Sequence, residues 1–188
     1  MRRELLSDDG PQLYMRSAMH GCALGKLDEI RAGVEGDAGR SETVSRITGY
    51  HLSFFSFDTL AHQAATQAGV ADHMAPDRLQ LWTLAYSMMP YIERTNEIEA
   101  EEIGRLRALK RTGGPLTSQE QAQVLNAVEQ LRTQENRMFD ASHWTLIPLL
   151  RIGPLDERQK QELLKRARAW YGACVQDPPD FTHWSADS

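Results

Sequence analysis

The chain has 188 residues, 41% hydrophobic and 25% charged, which is enough for one domain with a real core and excludes wholesale disorder. The net charge is −5 and no long arginine or lysine cluster occurs, which argues against a nucleic-acid partner, because duplex-binding surfaces carry a basic stripe. No segment approaches 18 uninterrupted apolar residues and Met1 does not begin a signal peptide, so a membrane contact is expected only through a segment absent from this chain.

The first part of the chain predicts short helices around one longer one. Apolar residues recur at steps of three and four from Pro11 to Val34, which is the pattern of an amphipathic helix. Ser41–Thr48 and Thr59–Ala68 are predicted as shorter helices that end at glycines. The aromatic run Tyr50–Phe57 has no second strand to pair with, so it is interpreted as an apolar connector packed across the bundle.

A long helical hairpin forms the centre of the predicted fold. Its arms are Pro76–Thr112 and Ser118–Leu150, and residues 113–115 (Gly-Gly-Pro) break the pattern between them. Thr117 and Glu120 restart the helix as a capping box. A short breaker between two long periodic segments produces antiparallel neighbours. The predicted fold class is therefore an all-α antiparallel helical bundle.

The rest of the chain completes this single domain. Pro90 in the first arm is expected to kink that helix, because proline removes a backbone hydrogen bond. Asp156 caps a last helix that is predicted to run to about Val175. Residues 1–176 are therefore predicted to form one domain, and residues 177–188 a C-terminal tail.

The middle of the hairpin seam is polar. If facing positions sum to about 230, Thr95 and Glu99 lie opposite Glu135, whereas the seam on either side is apolar. One interpretation is structural: the layer faces solvent, or it fixes the helix register at some cost in stability. The other is a small-ligand or cation site built from Glu99, Glu135 and His143. The aromatic residues Trp82 and Tyr86 either line a pocket near Pro90 or belong to the core.

The sequence contains none of the common motifs of metal sites, hydrolases or nucleotide-binding enzymes. Its six histidines form no HExxH or close helical pair, and no GxSxG, Walker or dinucleotide-binding glycine pattern occurs. The sequence therefore predicts no enzyme activity, no metal site and no cofactor. Cys22 and Cys174 are interpreted either as two reduced, buried thiols or as a disulfide that joins the first helix to the last.

The segment from residue 56 to 140 resembles the soluble helical part of small, uncharacterised, single-pass bacterial membrane proteins. The resemblance rests on a short helix ending in Ala68-Gly69, a long helix begun by Pro76, and a Pro115-Leu116-Thr117 turn before the next helix. It implies an anchor upstream of Met1, an extracytoplasmic location and no catalytic residue to carry over. It also favours a Cys22–Cys174 disulfide.

These observations lead to an expected function that is not catalytic. The leading hypothesis is a helical interaction or sensor domain of a membrane-anchored protein. The alternatives are a cytoplasmic module that self-associates through an exposed hairpin face, and a bundle that binds a small ligand or metal in its polar seam. A protein partner or a second copy is expected in the first two cases.

Overall fold

The computed structural model describes residues 4–36, 39–52, 60–109 and 114–178. They form helices packed against one another, without strands in these ranges, which confirms the predicted all-α bundle. A π-helical turn (Glu4–Asp9) and two 3₁₀ turns (Val70–His73 and Gly172–Cys174) accompany the α-helices. The α-helices are α1 (Gly10–Glu35), α2 (Arg40–Thr48), α3 (Leu60–Gln67), α4 (Pro76–Ser87), α5 (Met89–Ala108), α6 (Ser118–Ile152) and α7 (Glu157–Tyr171).

Helix α6 is the scaffold on which the bundle is built. It is one helix of 35 residues, so it is about 52 Å long. It begins with the predicted capping box: the Thr117 hydroxyl accepts a hydrogen bond from the Glu120 N–H, and the Glu120 carboxylate accepts one from the Thr117 N–H at 2.8 Å. α1, α4 and α5 all pack against α6. Its length therefore sets the length of the bundle.

The first arm of the hairpin is interrupted just before Pro90, where a kink was predicted, and forms two consecutive helices rather than one bent helix. The chain leaves the α-helical pattern at Met88, and Pro90 then occupies the first turn of α5. Proline is well tolerated there, because the first N–H groups of a helix have no intrahelical partner. The described part of α5 and its cap end at Leu109. The predicted end of the arm at Thr112 lies outside the described residues.

The predicted register of the hairpin agrees with the packing of the core. Ile92 and Met138 share one apolar cluster, and Ile103 and Val128 share a second. A third cluster joins α1 to α7. α1 is thus covered by α6 on one side and by α7 on another. It is buried over a wider arc than a single amphipathic stripe would produce.

The last helix is shorter than predicted, and the connector after α2 is described only in part. The last α-helix ends at Tyr171 and not near Val175, because Gly172 has a positive φ (φ 67°, ψ −145°) that cannot continue an α-helix. In the predicted connector, Tyr50 is buried and Leu52 belongs to the core. Residues 53–59 and the tail beyond residue 178 lie outside the described residues.

Within the described ranges, no helix is long and apolar enough to cross a bilayer.

Candidate functional site

The polar layer of the hairpin seam is buried around an arginine from α1. The Arg16 Nη2 atom lies 2.8 and 2.9 Å from the two carboxylate oxygens of Glu99, and 2.9 Å from Oε2 of Glu135. The exposed fractions of Arg16, Glu99 and Glu135 are 2%, 0% and 1%. The interpretation that this layer faces solvent was therefore wrong. Sequence reasoning missed Arg16, although two carboxylates on an apolar seam require a buried cation.

The pKa values of the two carboxyl groups shift in opposite directions. Removal from water raises the pKa of Glu99 to about 8, and the nearby Glu135 adds to this rise against the opposing effect of Arg16. Burial also disfavours the charged form of Glu135, but Arg16 and His20 outweigh it and hold the pKa of Glu135 below its usual value. Glu99 therefore keeps its proton to a higher pH than Glu135, and the ionised form of Glu135 is the one that Arg16 favours.

Aromatic and histidine side chains surround this buried ion pair. Nδ1 of His20 lies 3.8 Å from Oε1 of Glu135, beyond hydrogen-bonding distance. Burial, followed by the nearby carboxylates, raises the pKa of Tyr50 well above its usual value. The Tyr171 hydroxyl accepts a hydrogen bond from the His51 N–H at 3.0 Å and donates one to the His51 carbonyl. These contacts tie α7 to the segment after α2, close to the charged layer.

This arrangement serves structure better than it serves catalysis. Arg16 already binds both carboxylates, and their burial removes them from any substrate in solution. A carboxylate that is enclosed and paired cannot exchange protons with a substrate unless the helices separate. The charged layer instead ties α1, α5 and α6 together at one position along the seam.

His143, proposed as a third member of this layer, lies elsewhere on α6. It is eight residues beyond Glu135, which corresponds to about 12 Å along the helix axis. Its ring contacts Phe139 edge to face, with 5.6 Å between the ring centroids. Burial lowers the pKa of His143. The structure therefore brings together Glu99 and Glu135 but does not add His143 to them.

Trp82 and Tyr86, which lie on α4 at the end of the hairpin away from its turn, belong to the core. Their rings stack with 6.2 Å between centroids, and their exposed fractions are 6% and 5%. They share an apolar cluster with Leu13, Met89 and Leu149. Both side chains thus fill the space between α1, α4 and α6.

The two cysteines are bonded to each other. Their Cα atoms are 5.8 Å apart, within the usual range for a disulfide. Cys22 is buried on α1, whereas Cys174 is exposed in the turn after α7. Cys174, His20 and Phe139 line a cavity of about 450 Å³ between α1, α6 and the C-terminal segment. The bond closes a loop of 152 residues and holds the last turn of the chain against the first helix.

A second arginine holds the tip of the hairpin. The guanidinium of Arg40, at the start of α2, donates to the carbonyls of Leu109, Gly114 and Pro115 and, at 2.6 Å, to the carboxylate of Glu120. Arg40 lowers the pKa of Glu120 to about 2, and the hydrogen bonds from Thr117 contribute. Sequence reasoning gave no role to Arg40, because nothing in its local pattern marks it.

One exposed apolar feature of the hairpin is the outer face of α4 and α5, formed by Leu81, Leu84, Met88 and Tyr91. These residues are spaced three, four and three apart, so they share one side of the arm. Leu84 and Tyr91 are 48% and 41% exposed, and Leu81 and Met88 are partly exposed. The inner side of the same helices already carries the core. This outer face is therefore an additional apolar surface that the described part of the chain leaves uncovered.

Comparisons with known proteins do not add a function to these observations. No family model, curated protein or solved structure matches the chain. Among the described residues, no group of three histidine, cysteine, aspartate or glutamate side chains could hold a metal ion. The functional argument therefore rests on the surfaces and contacts of this chain alone.

Proposed function

We propose that the protein is a non-catalytic helical interaction domain that binds an α-helical protein partner through the outer face of α4 and α5. The observation that carries this proposal is the apolar line of Leu81, Leu84, Met88 and Tyr91, in which Leu84 and Tyr91 are exposed and Met88 also packs against the core. Apolar residues at this spacing are the usual anchors for a helix that lies against another helix. An aromatic residue such as Tyr91 also often contributes strongly to protein interfaces.

The alternative use of the hairpin, a ligand site in the polar seam, has less support. Its two carboxylates are within 2.9 Å of Arg16, which occupies the position that a cationic ligand or metal would take. A ligand would have to displace a fully buried guanidinium, which costs several kcal/mol. The outer face needs no such rearrangement.

Site-specific photo-cross-linking in cells that carry the native gene would test the interaction domain. A benzophenone amino acid at position 84 should form a discrete cross-linked band, because Leu84 is half exposed at the middle of the outer face. The same amino acid at position 133, on the exposed polar side of α6, is the matched control. Equal labelling at both positions, or none at position 84, would refute the proposal.

We also propose that the domain is the extracytoplasmic part of a membrane-anchored protein. Two observations support this location: the resemblance of residues 56–140, and the Cys22–Cys174 bond, since disulfides persist mainly in oxidising compartments. The test is fractionation of native cells with an antibody against the domain. A band in the membrane pellet that is heavier than 21.3 kDa and has no free thiols is expected. A band of 21.3 kDa without a disulfide in the cytoplasmic fraction would overturn it.

A further inference from the structure

We infer that the Cys22–Cys174 disulfide is a site of reversible thiol exchange, at which a small thiol attacks the Cys174 sulfur from the cavity between α1, α6 and the C-terminal segment. This role goes beyond the proposed interaction function and does not depend on the outer face of α4 and α5. Three features of the structure support it: the two cysteines differ in exposure, a cavity adjoins the exposed one, and other contacts hold the end of α7 in place.

The two cysteines of the bond lie in different surroundings. Cys22 is 4% exposed and packs in the apolar cluster of α1 and α7, together with Met19 and Leu164. Cys174 is exposed in the 3₁₀ turn after α7. A thiolate displaces one sulfur of a disulfide along the S–S axis, from the side opposite the other sulfur. A thiol in solution can therefore approach Cys174, whereas attack on Cys22 would have to come through the core.

The cavity gives a small thiol room beside Cys174. Its volume is about 450 Å³, and small-molecule sites commonly have volumes of about 300–1,000 Å³. Ser17, His20 and Asp177 contribute polar side chains to its wall, and Phe139 contributes an apolar ring. The cavity can thus hold a molecule with both an apolar part and a hydrogen-bonding group, as a small hydroxythiol has.

The exchange needs no reagent other than the thiol itself. The thiolate sulfur bonds to the Cys174 sulfur, and the electron pair of the S–S bond leaves with Cys22, which takes up one proton from water. The apolar surroundings of Cys22 favour the uncharged thiol over the thiolate, so its return attack on the mixed disulfide is slow. When that attack occurs, it restores the original bond and releases the small thiol.

Contacts other than the disulfide hold the end of the chain near α1. Val175, which follows Cys174, is 5% exposed and belongs to the same apolar cluster as Cys22. The Tyr171 hydroxyl accepts a hydrogen bond from the His51 N–H at 3.0 Å and donates one to the His51 carbonyl. Neither contact requires the S–S bond. The two cysteines therefore stay close together while the bond is open, which makes the exchange reversible.

Reaction of the oxidised protein with 2-mercaptoethanol tests which sulfur is attacked. Early samples are quenched with acid, the released thiol is labelled with N-ethylmaleimide in denaturant at mildly acidic pH, and the peptides are mapped by mass spectrometry. We expect 2-mercaptoethanol on Cys174 and maleimide on Cys22, in at least ~10-fold excess over the reverse pattern. Equal amounts of the two patterns, or an excess of the reverse one, would overturn the inference. The rate should rise in proportion to the thiol concentration, and a rate independent of it would show that unfolding limits the exchange and would also overturn the inference.

Two glycines on α1 test the cavity as the route to Cys174. Gly21 lines the cavity, whereas Gly25, one turn further along the helix, is outside its described lining. Both are exposed, and a Cβ added at either would meet no atom within 4 Å, so leucine at the two positions should affect the helix alike. Gly21→Leu should fill part of the cavity and slow the exchange at least ~10-fold, and Gly25→Leu should leave the rate unchanged. Equal rates in the two variants would show that the thiol does not arrive through the cavity, and the inference would fail.

Discussion

Two arginines each bind glutamate in this protein, and their surroundings give the two contacts opposite electrostatic results. Arg16 is 2% exposed and lies between Glu99 and Glu135 in the middle of the bundle. Arg40 is 9% exposed and binds Glu120 at the tip of the hairpin. Near Arg16, burial raises the pKa of Glu99 to about 8. Near Arg40, the pKa of Glu120 is lowered to about 2.

The difference shows that distance alone does not determine what an ion pair contributes. The arginine–glutamate distances are similar, 2.8 Å at Glu99 and 2.6 Å at Glu120. At Glu99 the loss of water costs more than the arginine restores, so the carboxyl keeps its proton. At Glu120 water remains close and hydrogen bonds stabilise the charged form. The first contact joins α1, α5 and α6 inside the core, and the second joins α2 to the tip of the hairpin.

Removal of Arg16 should have the largest effect on stability. Arg16→Met leaves Glu135 buried without its cation, so we expect the free energy of unfolding to fall by about 3–5 kcal/mol. Denaturant unfolding followed by circular dichroism measures the change. The matched control is Arg16→Met/Glu99→Leu/Glu135→Leu, which removes all three polar groups and should be close to the wild-type stability. A triple variant as unstable as Arg16→Met alone would show that the charged layer is not the cause.

The second largest expected effect is the dependence of the free energy of unfolding on pH. The pKa of Glu99 rises from about 4.3 in the unfolded chain to about 8 in the fold. The folded state therefore binds an extra proton between these values, and the free energy of unfolding falls as pH rises, by at most about 1.4 kcal/mol per pH unit. Glu99→Gln imitates the protonated carboxyl and removes this dependence.

Thermal unfolding of both proteins between pH 5 and pH 9 measures this effect. The wild type should lose stability relative to Glu99→Gln steadily from pH 5 upward, and Glu99→Gln should be clearly the more stable protein above pH 8. The comparison cancels the contribution of His143, which is present in both proteins. Parallel curves for the two proteins would mean that Glu99 is already ionised at pH 5.

The sequence was sufficient to predict the hairpin but not the charged layer. The capping box of Thr117 and Glu120 is a local signal, and the register followed from the short loop. Arg16 could not be found in this way, because its neighbours in space are 83 and 119 residues away. α1 is also buried on two sides, so a search for a single apolar stripe did not include Arg16. The available signal was that two buried carboxylates need a positive charge nearby, which would have pointed to an arginine or lysine on another helix.

Removal of Arg40 should cost less than removal of Arg16. Its guanidinium satisfies three loop carbonyls and Glu120, but water can reach most of these acceptors, because all of the contacts except the one to Leu109 are only partly buried. We expect Arg40→Ala to lower the free energy of unfolding by about 2 kcal/mol. Arg158→Ala, which removes an exposed pair with Glu162, is the matched control and should change it by less than about 0.5 kcal/mol. Equal effects would show that the tip of the hairpin does not need Arg40.

The smallest expected effect is confined to acid and tests the Glu120 contact directly. Because the pKa of Glu120 is about 2 in the fold, its stabilising effect is present above the unfolded value of about 4.3 and is lost as pH falls toward 2. Glu120→Gln keeps a side chain that can complete the capping box but removes the charge. The melting temperature of this variant should be lower than that of the wild type at pH 6 and equal to it at pH 2. A difference that persists at pH 2 would mean that the size or shape of the side chain, and not its charge, holds the turn.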